Sequence, residues 1–192
     1  CIDRAGLVGE DGATHHGVFD MAFLRPIPNL IIASPRNATE LRHLLYTAQQ
    51  PLEHPIAIRY PRGRCNEKHW QQPFQALPIG KGEQLKEGSE IAVLTIGAIA
   101  EEVAEQIQKS TTAEKYAHYD MRFLKPLDEE MLHHIFQNYK KVITVEEGAM
   151  GGLGSAIAEF VTQHNYTIPL KIITLPDAFM GVMSRFANLS IC

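Results

Sequence analysis

The sequence predicts an α/β fold with a mainly parallel sheet and helices on both faces. Three observations predict it. Short β-branched apolar runs alternate along the chain with amphipathic stretches of ten or more residues. A polar stretch broken by Pro and Gly divides that alternation into two blocks. A chain of 192 residues, 45% hydrophobic and 21% charged, is long and apolar enough to bury a real core.

The elements follow in order. After a glycine-rich opening, "NLIIAS" (29–34) is a short buried strand. "SPRNATELRHLLYTAQQ" then starts a helix: Asn37 can cap it, Glu40 stands three residues later, and Leu41, Leu44, Leu45 and Ala48 form one stripe. "PIAIRYPRG" is a second strand, closed by Pro61 and Gly63. Residues 65–88 are polar and irregular and read as a linker. The pattern then restarts with the strand "EIAVLTIG" and the helix "AIAEEVAEQIQKS". A strand "YAHYDMRF" follows, then the helix "DEEMLHHIFQNY", with Asp128 as its cap and Glu129 and Glu130 in its first turn. "KVITVEEG", "GSAIAEFVTQHN" and "PLKIITL" complete the alternation as strand, helix and strand.

Composition excludes several classes. The net charge of −4 argues against a general nucleic-acid binder. No apolar run approaches the roughly 20 residues that span a bilayer, so no membrane role is expected. Three cysteines, two of them at the chain ends, make no disulfide framework, which fits a reducing cytoplasm. The chain opens on Cys1, and residues 1–19 read as the middle of something, which gives the expectation of a fragment.

Chemistry concentrates in "DRAGLVGEDGATHHG" (3–17), where Arg4, Asp11 and His15 are spaced by glycines that permit sharp backbone paths. A histidine beside a carboxylate can be held in one tautomer and move protons near neutral pH. A solvated loop with an ordinary histidine is the competing reading. A metal site from Asp11, His15 and His16 lacks a third spaced His or Cys ligand, so no metal residue is assigned in this chain. "RYPRG" puts Arg59 and Arg62 at a strand's C-terminal end, where open α/β sheets bind ligands. Alternation sets Arg59 on the face opposite Ile56, Ile58 and Tyr60, while Arg62, past Pro61, is freer to meet a phosphate or carboxylate. "GAMGGLGSA" opens a helix as phosphate loops do, but lacks the third glycine and the lysine of the known motifs, so a tight packing turn is the better reading. Arg122 and Lys125 in "MRFLKPLDEE" read as part of a capped helix entry, and His133 and His134 as helix-surface residues. One of Glu146 and Glu147, at the end of a strand, is expected at the domain junction.

In order and spacing, "DRAGLVGEDGATHHGVFDMAFLRPIPNLIIASPRNATELRHLLYTA", "AIRYPRG", "LPIGKG", "DMRFLKPLD" and "VEEGAMGGLGSA" resemble the 1-deoxy-D-xylulose-5-phosphate synthases, a family of transketolase-like, thiamin-diphosphate-dependent enzymes. The resemblance implies that residues 1–66 are the later half of a pyrimidine-binding domain. Residues 67–88 would be the linker and 89–192 a transketolase C-terminal domain. The implied reaction condenses pyruvate with D-glyceraldehyde 3-phosphate, with loss of CO2, and feeds isoprenoid, thiamin and pyridoxal synthesis. On the same basis Arg4 and Arg62 would hold the phosphate of glyceraldehyde phosphate. Asp11 and His15 would take the catalytic positions beside the acceptor aldehyde and its hydroxyls. The cofactors implied are thiamin diphosphate and Mg2+, and the implied assembly is a cytoplasmic homodimer.

The sequence departs from that family in two respects. The diphosphate- and magnesium-binding domain and the activating glutamate are not in this chain, so its ligands to the cofactor are expected upstream and the chain alone is expected to be inactive. "LPDAFMGVMSRFANLSIC" (175–192) begins like the family but loses its His-Gly continuation. The alternatives are another transketolase-like protein, such as a 2-oxo acid dehydrogenase E1 β subunit, and a non-catalytic module of this fold.

Overall fold

Two sheets share one core in the computed structural model, which describes residues 1–63 and 71–181. The linker residues 64–70 and the end of the divergent terminus, 182–192, lie outside the described residues. In the first sheet, β1 (Ile31–Ala33) pairs in parallel with β2 (Ile56–Ile58), and the ten-residue helix α2 (Ala38–Thr47) crosses between them. Asn37 caps α2 as its sequence suggests, accepting the Glu40 N–H at 3.0 Å. Before β1 a five-residue helix, α1 (Asp20–Leu24), packs Met21 into the core.

The second sheet runs in the order β3–β5–β4–β7–β8. Its strands are β3 (Glu83–Lys86), β4 (Ile91–Thr95), β5 (Tyr116–Asp120), β7 (Lys141–Val145) and β8 (Leu170–Ile173). All its pairings are parallel except that of the edge strand β3, which is antiparallel to β5. Residues 83–86, read as linker, thus form a strand, whose alternation is hidden because an edge position tolerates the polar sequence EQLK.

Strand alternation puts helices on both faces of this sheet. Ala92, Leu94 and Val142 point to the side covered by α4 (Glu129–Asn138) and α5 (Leu153–Gln163), where Leu132, Ile135, Leu153 and Ile157 meet them. Val93, Ile143 and Val145 point the other way, onto Ile99, Val103 and Ile107 of α3 (Ile99–Lys109). Asp128 caps α4, accepting the Met131 N–H at 3.1 Å.

"YAHYDMRF" is not one strand. The chain turns at Arg122, which takes a left-handed φ of 56°, and β6 (Phe123–Lys125) leaves the second sheet to pair antiparallel with β1. Phe123 enters the small core of Leu44 and Ile58, while Leu124 and Ile32 enter the large one. The two sheets are therefore joined by a strand exchange that no local pattern announces. No helix among the described residues is long and apolar enough to cross a membrane.

Candidate functional site

The opening segment lies at the C-terminal end of β2. Ile2 runs beside Ile58 and Tyr60, with Ile2 N–H donating to Ile58 O at 2.8 Å and Tyr60 N–H to Ile2 O at 3.0 Å. The chain then swings out and returns, and Gly6 and Gly17 close the excursion by exchanging N–H···O bonds of 2.8 and 3.0 Å. A side chain at Gly17 would strike the Arg4 carbonyl, so the closure demands glycine there. Two short 3-10 turns, Gly9–Asp11 and Ala13–His15, form the tip.

This geometry brings three of the four predicted site residues together. Asp11 accepts from Arg4 Nε at 3.3 Å and pairs, through its other oxygen, with Arg62 Nη1. The Arg62 hydrogen bond acts first in holding the Asp11 carboxyl below the usual carboxylate range; Arg4 adds to it and partial burial opposes both. Asp11 stays ionised and holds two guanidinium groups side by side at an exposed edge. Arg4 also reaches Asp3 at 3.2 Å, so two carboxylates balance the two cations, and what the pair offers a phosphate is two forks of N–H donors rather than net charge.

His15 stands apart from this cluster. It is exposed, and its Nδ1 meets Thr14 Oγ1 at 3.0 Å rather than Asp11. His16 is half-buried and accepts the Val8 N–H on Nδ1 at 3.1 Å. It lines a cleft of about 520 Å³ with Val18, Phe19, Met150, Leu175 and Phe179.

Arg59 has a structural position. It is buried, its Nε donates to both oxygens of Asp20 at 2.9 and 2.8 Å, and its Nη2 donates to the carbonyls of Gly17 and Glu147 at 2.8 and 2.9 Å. Of the two arginines that the sequence offers at the end of this strand, Arg59 is thus committed to partners within the protein, while Arg62 stands at the exposed edge.

The two glutamates that follow β7 part company. Glu146 turns to α5, where its carboxylate accepts the N–H groups of Leu153 and Gly154 at 3.0 and 2.8 Å. Burial pushes its carboxyl up while those two N–H groups pull it down, leaving it above the ordinary value. A Cβ at Gly152 would fall on that carboxylate. The one loop that resembles a phosphate cradle is thus filled by the protein's own anion, in line with the packing-turn reading. Glu147 turns the other way, and Oε1 accepts the Leu7 N–H at 3.0 Å under the opening loop. Sequence reading missed this pairing because the partners stand 140 residues apart.

Arg122, read as part of a helix entry, pairs with the buried Glu40 and with the partly exposed Glu83. Among the described residues no group of three or more His, Cys, Asp or Glu side chains is arranged to hold a metal.

The chain is similar to known proteins along most of its length. The chain is 56% identical over 182 residues to the 1-deoxy-D-xylulose-5-phosphate synthase of Parabacteroides distasonis, which covers 94% of this chain and 29% of that protein. The synthase of Phocaeicola vulgatus is likewise 56% identical over 183 residues, with the same shares covered. The chain therefore spans a little under a third of the curated relatives it matches. Among solved structures, a split-gene transketolase described as an inactive β4 tetramer superposes with a TM-score of 0.76 at 30% identity, covering 86% of this chain and 55% of that one. With residues 1–68 matched by the transketolase pyrimidine-binding domain and residues 80–186 by the transketolase C-terminal domain, the chain belongs to the transketolase family.

Proposed function

We propose that this chain is part of a thiamin-diphosphate-dependent carboligase that condenses pyruvate with D-glyceraldehyde 3-phosphate to 1-deoxy-D-xylulose 5-phosphate and CO2. One observation carries the reading. Two guanidinium groups, Arg4 and Arg62, are held against a shared Asp11 carboxylate at the C-terminal end of a parallel strand, within a sequence 56% identical to synthases of that name. The acceptor is a phosphorylated aldehyde, and the pair offers the donor geometry its phosphate requires. Asp11, ionised and anchored, is an acceptor for the substrate hydroxyls. His15, exposed on the same loop, is the group we assign to proton movement at the acceptor aldehyde.

The described residues do not fit the cofactor's diphosphate or its magnesium. A hard cation needs clustered oxygen ligands, which no metal-holding group among the described residues provides. The glycine-rich N-terminus of α5, which resembles a phosphate loop, is occupied by Glu146. We therefore assign diphosphate and Mg2+ binding to the remainder of the full-length protein, and propose that this chain alone does not turn over. In this family the cofactor supplies the electron sink for decarboxylation, and the residues here serve the acceptor. We keep two domains, a homodimeric assembly and a cytoplasmic location as parts of the same proposal. The matched family segments, 1–68 and 80–186, support two domains, and the edge strand Glu83–Lys86 goes with the second rather than with the linker.

Arg62→Ala in the full-length protein tests the reading. A charge-assisted phosphate contact is worth roughly 1.5–3 kcal/mol, so the KM for glyceraldehyde phosphate should rise about 10- to 100-fold with that for pyruvate nearly unchanged. Equal losses for both substrates would remove the phosphate role. Wild-type protein that forms no deoxyxylulose phosphate would favour the dehydrogenase-type or non-catalytic alternatives.

A further inference from the structure

Three of the four site residues, Arg4, Asp11 and His15, lie on the opening loop or at its start, so what lies beneath that loop sets their position relative to Arg62. Both feet of that loop rest on one buried hub. At the first foot, Leu7 is buried and its N–H donates to Glu147 Oε1 at 3.0 Å. At the second, the Gly17 carbonyl accepts from Arg59 Nη2 at 2.8 Å, and the same Nη2 donates to the Glu147 carbonyl at 2.9 Å. Gly6, at a left-handed φ of 75°, leaves the space that the Glu147 carboxylate fills, and a side chain there would collide with it. Arg4 precedes Leu7 at the first foot by three residues, Asp11 and His15 lie between the feet, and Arg62 follows Arg59 by three. Glu147 itself is 5% exposed, with its carboxylate against Gly6 and Leu7 at the base of the loop.

We propose that Glu147 is a positioning residue for the acceptor phosphate: by holding the Leu7 N–H it sets where Arg4 and Asp11 stand relative to Arg62. This rests on the functional reading above. A buried N–H must be paired, and a carboxylate makes that pairing strong and short-ranged. Losing it lets the first foot move while Arg62, anchored through β2, stays. The separation of the two guanidinium forks then changes, and small misplacements of a binding fork are costly. The donor substrate does not meet this pair, so its binding is not affected.

The test uses the full-length protein, with initial rates varied separately in pyruvate and glyceraldehyde phosphate. Glu147→Ala is expected to raise the KM for glyceraldehyde phosphate about tenfold or more, with the pyruvate KM within about twofold. Glu147→Gln keeps an oxygen for the Leu7 N–H and is expected to restore the acceptor KM to within about threefold. An unchanged acceptor KM in Glu147→Ala, an equal rise for both substrates, or no rescue by Glu147→Gln overturns the inference. If Glu147→Ala does not fold, Gly6→Ala disturbs the same contact from the loop side. A selective rise in acceptor KM then supports the inference, and an even or absent change overturns it. A wild-type protein that makes no product from these substrates removes the functional reading and this inference with it, whereas an active wild type beside an unaltered Glu147→Ala removes this inference alone.

Discussion

His118 lies fully buried on β5, with Nε2 at 2.9 Å from Thr95 Oγ1. The Thr95 hydroxyl donates onward to Tyr119 O at 3.2 Å, so the network assigns the proton to Nε2. Burial takes the imidazole down to about 4, and the positive charges of Arg36 and Lys86 press in the same direction. The folded protein therefore keeps His118 neutral at pH values where an unfolded chain, titrating near 6.5, binds a proton. The stability this confers is complete above about pH 6.5 and is lost as pH falls from there towards about 4. At about 1.4 kcal/mol per pH unit the loss amounts to about 3 kcal/mol. Denaturation of the wild type and of His118→Gln across that range is expected to show a shallower acid-side decline in the variant, and identical slopes would refute the assignment. Residue-level chemistry was legible in the sequence where a group's type and immediate setting define it. Arg4, Asp11 and Arg62 stood out on a glycine-spaced loop and a strand end, and the structure brings them together. Glu147 and Arg59 did not stand out as supports, because their partners come from 140 and 88 residues away and only the fold sets them side by side.

The start of α5 shows how one element is specified by what precedes it. Five apolar-rich residues form β7, and the next residue, Glu146, folds back onto the first two N–H groups of the helix. It neutralises the orphan donors and the positive end of the dipole together. A Cβ at Gly152 would overlap the Glu146 carboxylate, which makes glycine the residue that fits there. Gly152→Ala places a methyl on the Glu146 carboxylate and is expected to cost about 2–3 kcal/mol, read as a lowered urea midpoint with an unchanged m-value. A loss under about 0.5 kcal/mol would show that the carboxylate moves aside freely. The longer elements could be read directly, since ten- and eleven-residue helices and five-residue apolar strands carry a full period of their pattern. Two elements could not. The five residues of α1 complete little more than one turn, and β3 is an exposed polar edge with no apolar alternation. The break between β5 and β6 was also hidden, because only Met121 and Arg122 separate the two strands and the turn lies in the backbone at Arg122, with no Gly or Pro to mark it.

At the scale of the molecule, that reversal decides whether there are two folding units or one. The expected boundary falls after residue 66, yet β6, from well beyond it, completes the first sheet beside β1. An ion cluster built on the buried Glu40 ties the same junction. Arg122 donates to Glu40 at the start of α2 (Nε 3.0 Å, Nη2 2.7 Å) and to Glu83 of β3 at 2.6 Å, while Arg36 reaches Glu83 at 2.8 Å. Burial pushes the Glu40 carboxyl up, but the charges of Arg122 and Arg36 outweigh it and hold it below the usual range. Asp120 beside them goes the other way, raised well above its ordinary value by burial and by the charge of Glu40. Removing one cation from such a cluster leaves an under-compensated buried anion, a loss of about 3–5 kcal/mol. Arg122→Ala should therefore lower stability by about that amount. Because the strand exchange and the cluster bind both sheets, the loss should be shared. Hydrogen exchange of the β1 amides and of the β4 amides is expected to accelerate by the same factor, as for one cooperative unit. Faster exchange in β1 with β4 unchanged would show that the sheets unfold separately, and that the shared core and crossing strand do not make them one.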